Sequence, residues 1–511
     1  MRLGLFFGAG AEIGYGLPSG GKFAIDLFRQ DPSGYKSELR RQLSSLDARS
    51  AYASNWLPQG YAEKSIYAFG RNEFTTLIES SVEYKRSEII NRLNAFDEEC
   101  DRATQELGID RAVLERKYNE ISDSAFGERL YTHTIRLNEM LSRDVRLFGS
   151  EYYSAMLDLI RSEEQSDDLR RYVTSFLQLL VGAHGQALVQ RLNQELFEEA
   201  PDDLPIFDDI SGMFKLEFNR VGSTALELLL EENRSFDVGE SASALSIFCA
   251  IAQKVLENIF TTVLDYQKLI DDHFRYLFSP DTEWAKFTRM VIFLKTARDY
   301  ISSQAPDISD IPNSGYYHDL ASLSCEINAI GTANYNSILS QVASSIGLSL
   351  PEVLHLNGST SDYYNPYKNT VVTCASEDEV PQEQIHVPFI LTQSGLKPLT
   401  SVAMSRRYVQ LFDGYRESDA IVVVGFGFHK DDSHINGLFR ELVESEEKPL
   451  YWISRSANGT SQEQQRRLMK KLRIGHEYRH LVRVVAVDAQ TRISDGQLWI
   501  NQVIADMNRE I

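Results

Sequence analysis

The sequence predicts an α/β fold in which a single parallel sheet is interrupted by a large all-α insertion. Three observations predict it. The chain opens on a compact apolar run, LGLFF, followed at once by a glycine turn and a helical stretch. From about Pro32 to Pro312 glycine and proline are sparse, and apolar residues recur at helical spacing. After Pro312, short β-branched runs alternate with helical stretches, the texture of a parallel sheet buried on both faces.

Each element follows in order. LGLFF, the GAG turn and GKFAIDLFRQ read as strand, glycine loop and helix, half of a parallel α/β unit. In the middle, Phe248, Ile251, Val255 and Ile259 form a stripe on one helix face, widened by Phe260, Val263 and Leu264. The polar faces there are rich in Glu, Asp and Arg and nothing in them suggests catalysis; core packing and oligomerisation or partner docking explain the pattern at least as well. CEINAIG, EVLHLNG, VPFIL, AIVVVGFGF, PLYWIS and VRVVAVDA then read as strands. One sheet needs the first strand beside these, so residues 1–30 and 315–511 are expected to form one domain and residues 31–314 a helical insertion.

With 511 residues, 43% of them hydrophobic, the chain can bury substantial cores without staples. Cys100, Cys249, Cys325 and Cys374 are scattered with no Cys-x-x-Cys pair, which fits neither a disulfide framework nor a Cys-rich zinc site. No zinc and a reducing compartment are the expectation. The first residues hold glycines and a turn where a signal peptide needs a continuous apolar run. The greasiest stretch, ALSIFCAIAQKVLENIF, is broken by Lys254 and Glu257, short of the ~20 residues that cross a bilayer. The expectation is a cytoplasmic protein with no membrane partner.

A net charge of −21 repels a phosphate backbone, so direct nucleic-acid binding is not expected. The one basic stretch, Arg466, Arg467, Lys470, Lys471, Arg473, Arg479 and Arg483, reads as a solvated helix face. A nucleic-acid effector acting through it is the weakest reading. No Walker loop, His-Glu-x-x-His or Gly-x-Ser-x-Gly is present to suggest ATPase, zinc-protease or esterase chemistry.

The loop Gly8-Ala9-Gly10-Ala11-Glu12 offers backbone N–H groups at the start of a helix, the arrangement that holds a diphosphate. A tight strand-to-helix turn has the same signature. Three further segments supply the context: GTANYN at Gly331–Asn336, EVLHLNGS at Glu352–Ser359 and VVVGFGFHKDDSHIN at Val422–Asn436. With GAGAEIGYGLPSG at Gly8–Gly20, these four in order resemble the bacterial sirtuin-like NAD-hydrolase domains of antiphage defence systems.

The resemblance covers the two ends of the chain and implies a sirtuin-like, Rossmann-type fold with NAD as substrate. It assigns the diphosphate to the loop of Gly8, Ala9, Gly10 and Glu12. It places the turn holding Pro18 and Ser19 over the nicotinamide ribose. Asn334, with Thr332 beside it, is implied to orient the attacking group, with Gly358 and Ser359 in the adjoining turn. Gly425, Phe426 and Gly427 are implied to lie against the adenosine half, and Asp432, His434 and Asn436 to position that loop. The partners this resemblance implies are NAD, further copies of the chain and a HerA-type DNA-translocating ATPase.

The chain departs from that pattern in two places. Protein-deacetylating sirtuins carry Asp-Phe-Arg after the proline and a four-cysteine zinc module, whereas this chain reads Pro18-Ser19-Gly20-Gly21 without a cysteine pair. NAD hydrolysis is therefore expected in place of deacylation. The family's catalytic His matches Asn357, and asparagine is no general base. His355, two residues earlier, shares a face with Asn357 on an extended strand at roughly 6–7 Å; it reads either as a substitute base or as a half-buried strand residue. His429 and His434 are lesser candidates, and His386 reads as structural. The rival expectation is a catalytically weak NAD- or ADP-ribose-binding subunit.

Overall fold

A computed structural model describes residues 1–17, 20–128, 136–137, 145–163, 165–184, 197–199, 223–231, 235–264, 275–306, 308–390, 401–456 and 459–509. Pro18, Ser19, Ser394 and Lys397 lie outside the described residues. The chain divides into two compact units, one of Met1–Ser19, Asp31–Ala68 and Gln267–Ile511, the other of Gly20–Gln30 and Phe69–Tyr266. The division differs from the expected 1–30/31–314/315–511 boundaries. The first helix after the glycine loop belongs to the helical unit, whereas residues 31–68 and 267–314 belong with the sheet.

The sheet unit is built on six parallel strands: β1 (Arg2–Phe7), β2 (Glu326–Thr332), β3 (Val353–His355), β7 (Ala420–Val424), β8 (Leu450–Arg455) and β9 (Val482–Val487), in the order β9-β8-β7-β1-β2-β3. Five of the six C-terminal runs read as strands, together with LGLFF, enter this sheet. Their near-continuous apolar character has a direct cause, because both faces are buried. Leu3, Leu5 and Phe7 pack on one face with Val422, Val424, Tyr451 and Ile453. Phe6 turns to the other, with Ile421, Val423, Leu450 and Phe439.

From β1 the chain builds outward through β2 and β3, then returns to the far side of β1 and builds outward through β7, β8 and β9. The direction therefore reverses between β1 and β7, as it does in doubly wound dinucleotide-binding sheets of Rossmann type. Ligands of open α/β sheets lie outside the carboxyl ends of the strands at such a reversal.

VPFIL departs from expectation. Val387–Ile390 (β6) joins Gly358–Asn365 (β4) and Thr370–Thr373 (β5) in a separate antiparallel sheet of order β5-β4-β6. Burial of all four residues explains the confusion, since a fully buried strand lacks alternation whichever sheet it enters. At its far end the chain is tied back by Asp319, which accepts two bonds from Arg492 (2.6 and 3.0 Å) and one from Trp499 Nε1 (2.8 Å).

In the helical unit, Asp167–His184 packs against Ala244–Val263. The predicted stripe of Phe248, Ile251, Val255 and Ile259 is fully buried there. Ala244–Val263 corrects one expectation: by length and composition it is apolar enough to cross a membrane, and 61% of its most apolar window is buried within the protein. Arg92 and Glu99 pair at 2.8 Å, and Arg29 reaches Glu257 at 2.7 Å.

Candidate functional site

The two ends of the sequence meet at the carboxyl ends of β1, β2 and β7. Phe7 pairs with Thr332 on one side and Val424 on the other. The Thr332 hydroxyl donates to the Phe7 carbonyl (3.0 Å) and accepts the Asn334 N–H (3.0 Å), so it is consumed in fixing the turn that carries Asn334.

The two glycine turns are bound to each other. Gly8 N–H donates to Val424 O (2.9 Å) and Gly10 N–H to Gly425 O (2.8 Å), while Ala11 and Glu12 N–H close onto Gly8 and Ala9 carbonyls. These four donors are bonded within the protein, whereas the sequence expectation offered them to a diphosphate. What the glycines supply is proximity. Gly425 has φ +67°, and a Cβ there would collide with the Ala11 nitrogen; one on Gly8 or Gly10 would come within 2.8 Å of the Gly425 carbonyl. Ala9 and Gly427 are exposed beside this junction.

Phe426, expected against an adenosine, is buried in the core. Its ring packs edge-on against Phe6 at 5.1 Å in the apolar core, and its carbonyl accepts from Trp452 Nε1 at 3.0 Å. Following it, Asn436 Nδ2 donates to the His429 carbonyl (2.7 Å), the His434 ring lies 5.9 Å from that of Tyr408, and Asp432 is buried. Asp432 closes a short 3-10 turn, Lys430–Asp432, and His434 and Asn436 lie in the first turn of the helix Ser433–Glu444 that follows it. Lys471 of the basic stretch donates to the Gly427 carbonyl at 2.7 Å, and Arg479 to Gln465 at 3.0 Å, so parts of that face serve the fold.

At the centre sits Glu12, 4% exposed. Its Oε1 accepts the Tyr317 hydroxyl at 2.8 Å and its Oε2 accepts Asn336 Nδ2 at 2.7 Å. Asn334 Nδ2 in turn donates to the Tyr317 oxygen at 3.2 Å. Burial pushes the Glu12 carboxyl up to about 7, against the opposing pull of its bonds to Asn336, Tyr317 and Asn334. Burial likewise keeps Tyr317 a phenol, the neighbouring carboxylate adding to the effect. The Tyr15 ring stacks on Tyr317 at 5.2 Å, and its hydroxyl accepts the Tyr317 N–H at 3.0 Å. Sequence reasoning gave Glu12 only a place in the glycine loop, and it did not single out Tyr317 or Tyr15.

Asn334 (5% exposed) and Asn357 (3% exposed) lie close together: Asn357 Nδ2 approaches the Ala333 carbonyl at 3.4 Å, and His355 Nδ1 meets the Asn334 carbonyl at 2.7 Å. A carbonyl only accepts, so His355 carries its proton on Nδ1 and Nε2 is its acceptor. Burial lowers the His355 pKa, Arg407 adds to this, and the Asn334 carbonyl and Asp362 oppose it. The imidazole is thus neutral at neutral pH. Arg407 is itself held by a two-pronged pair with buried Asp362 (2.6 and 2.8 Å). Gly358 has φ +79°, and a side chain there would strike the Phe389 carbonyl. Ser359 is buried, with its hydroxyl accepting from Ser361 N–H at 3.3 Å.

The arrangement brings together an oriented amide, an imidazole with a free-standing basic nitrogen and a buried carboxyl near its neutral point. Among the described residues no cluster of His, Cys, Asp and Glu is arranged to hold a metal. A cavity of about 450 Å³ opens elsewhere in the sheet unit beside Glu38, Arg41, Lys295 and His386, away from all of these groups. No family model, curated protein or solved structure matches this chain.

Proposed function

We propose that the sheet unit binds NAD at the β1/β7 reversal and cleaves it to nicotinamide and ADP-ribose. The observation that carries this reading is the convergence of Asn334, His355 and Glu12 beside the joined glycine turns, at the carboxyl ends of a doubly wound sheet. Nicotinamide leaves neutral, so the bond breaks with oxocarbenium-like character. The protein needs chiefly to hold the ribose, stabilise developing positive charge and place a water. Asn334 orients that water, and neutral His355 takes its proton in place of the base that Asn357 cannot supply.

With the resemblance noted above, this chemistry points to an effector of bacterial antiphage defence, cytoplasmic and restrained in healthy cells by assembly with copies of itself or with a HerA-type ATPase. The helical unit is where that control is proposed to act. Incubating the purified protein with NAD, alone and with candidate partners, and following nicotinamide release tests the reading. Release that disappears in Asn334→Ala and falls in His355→Ala supports it.

Asn357 favours a second reading, a subunit that binds NAD or ADP-ribose without turning it over. Tight binding with no nicotinamide release under any condition selects it.

A further inference from the structure

We propose that Glu12 and Tyr317 are positioning residues that set which end of the Asn334 side-chain amide faces the bound ribose, and that a proton on Glu12 reverses it. The inference rests on the NAD-site reading above and deepens it.

An amide's nitrogen and oxygen are told apart by their partners, and here the partners decide. Asn336 Oδ1 accepts the Ile338 N–H at 3.0 Å, which leaves its Nδ2 as the atom donating to Glu12 Oε2 at 2.7 Å. Oε2 is therefore always an acceptor, and any proton on this carboxyl resides on Oε1, facing Tyr317. With Glu12 ionised, Oε1 also accepts, so the Tyr317 hydroxyl points its hydrogen at Glu12. The phenol oxygen then has only lone pairs to offer Asn334, and the Glu12 carboxylate draws on the same amide, so Asn334 must present Nδ2 to both. Asn334 Oδ1 is left on the opposite side as an acceptor for a ribose hydroxyl or the attacking water.

Protonation inverts the chain. Oε1–H donates to the phenol oxygen, the phenol hydrogen turns to Asn334, and the amide satisfies it only by turning Oδ1 inward. The ribose then meets an N–H₂ group, which donates and cannot accept the hydrogens of a hydroxyl or water. The backbone holds the relay still: Tyr15 accepts the Tyr317 N–H, and Thr332 accepts the Asn334 N–H. The titratable neighbours are Tyr15 from the same loop and Tyr317 and His318 from the segment before β2, with the Asp319–Arg492 pair next along that segment. Burial keeps both tyrosines protonated and His318 neutral, so Glu12 is the member that switches near neutrality.

Glu12→Gln tests this with little change of shape. Its oxygen must face Asn336 and its amide nitrogen Tyr317, which imitates the protonated acid at every pH. Calorimetric titration of ADP-ribose between pH 5.5 and 8.5 should show wild-type affinity rising through about pH 7, whereas Glu12→Gln binds ~10-fold or more weakly at pH 8 with that limb absent. Tyr317→Phe should lose the same limb. Where turnover is measurable, kcat should follow the same pattern.

Wild-type binding with Glu12→Gln and Tyr317→Phe equal to it in affinity and pH dependence overturns the relay and leaves the NAD site standing. Absence of ADP-ribose binding in the wild type sinks the NAD reading and the ribose-facing role together. The relay's own geometry keeps a separate readout: infrared difference spectra of isotope-labelled protein should show a Glu12 carboxyl titrating near neutrality, shifted by Tyr317→Phe. A carboxyl band indifferent to Tyr317 contradicts the coupling.

Discussion

The Tyr317 hydroxyl lies 2.8 Å from Glu12 Oε1, although 305 residues separate the two in the chain. That contact ties the N-terminal glycine loop to the segment entering β2 and buries a carboxylate with no cationic partner among the groups acting on it.

Burial without a counter-charge makes Glu12 a liability for folding above neutrality. Its folded-state pKa, about 7, lies above the ordinary 4.5. Stability from the neutral acid is present in full below pH 4.5 and is lost as pH rises through 7. Relative to wild type, Glu12→Gln should gain up to roughly 3 kcal/mol between pH 4.5 and 8. Urea denaturation of the two proteins across that range measures it, and a constant difference contradicts the burial.

The glycine turns should tolerate no side chain at their junction. Gly425→Ala places a methyl on the Ala11 backbone and forces a left-handed conformation. A loss of about 2–4 kcal/mol is expected, together with loss of NAD binding. Gly427→Ala, at a position where a Cβ meets nothing, should change stability by less than about 1 kcal/mol. Paired thermal unfolding curves separate the two.

In the proposed mechanism His355 serves as the base that Asn357 cannot be. His355→Gln should lower nicotinamide release by about 10²-fold while ADP-ribose affinity stays within a few fold. Restoring imidazole at the neighbouring position with Asn357→His should raise release above wild type. Because burial lowers the His355 pKa, the limb it controls in kcat/KM lies below pH 6.5, distinct from the Glu12 limb. Steady-state kinetics against pH tests all three statements.

Asp362, buried in β4, holds Arg407 with two bonds beside His355, whose carbonyl also accepts from Arg407 at 3.3 Å. Asp362→Ala strands the guanidinium and should destabilise the protein by about 3 kcal/mol. Replacing both with Asp362→Leu and Arg407→Met should recover much of that loss, which chemical denaturation of the single and double variants can read.

The sheet was legible in the sequence because burial on both faces leaves an uninterrupted apolar signature in LGLFF and AIVVV. The same feature misplaced VPFIL, since a fully buried strand does not reveal its sheet. The glycines were legible as a turn, but their purpose was not: close approach of two turns from opposite ends of the chain leaves the same residues as a diphosphate cradle. Phe426 was expected against the adenosine half because only the fold shows its ring entering the core beside Phe6. Tyr317 carries no motif, and the glycine-loop motif that holds Glu12 says nothing of its partners. Their meaning arises from contacts spanning 305 and 324 residues, to each other and to Asn336, which no local pattern encodes.

Calorimetric titration of ADP-ribose into the wild type and Asn334→Ala at pH 8 goes most directly to the central claim. One saturable site per chain, weakened at least ~10-fold by the substitution, is the predicted result. Equal affinity in the two proteins, or no binding by the wild type alone or assembled with its partners, contradicts it.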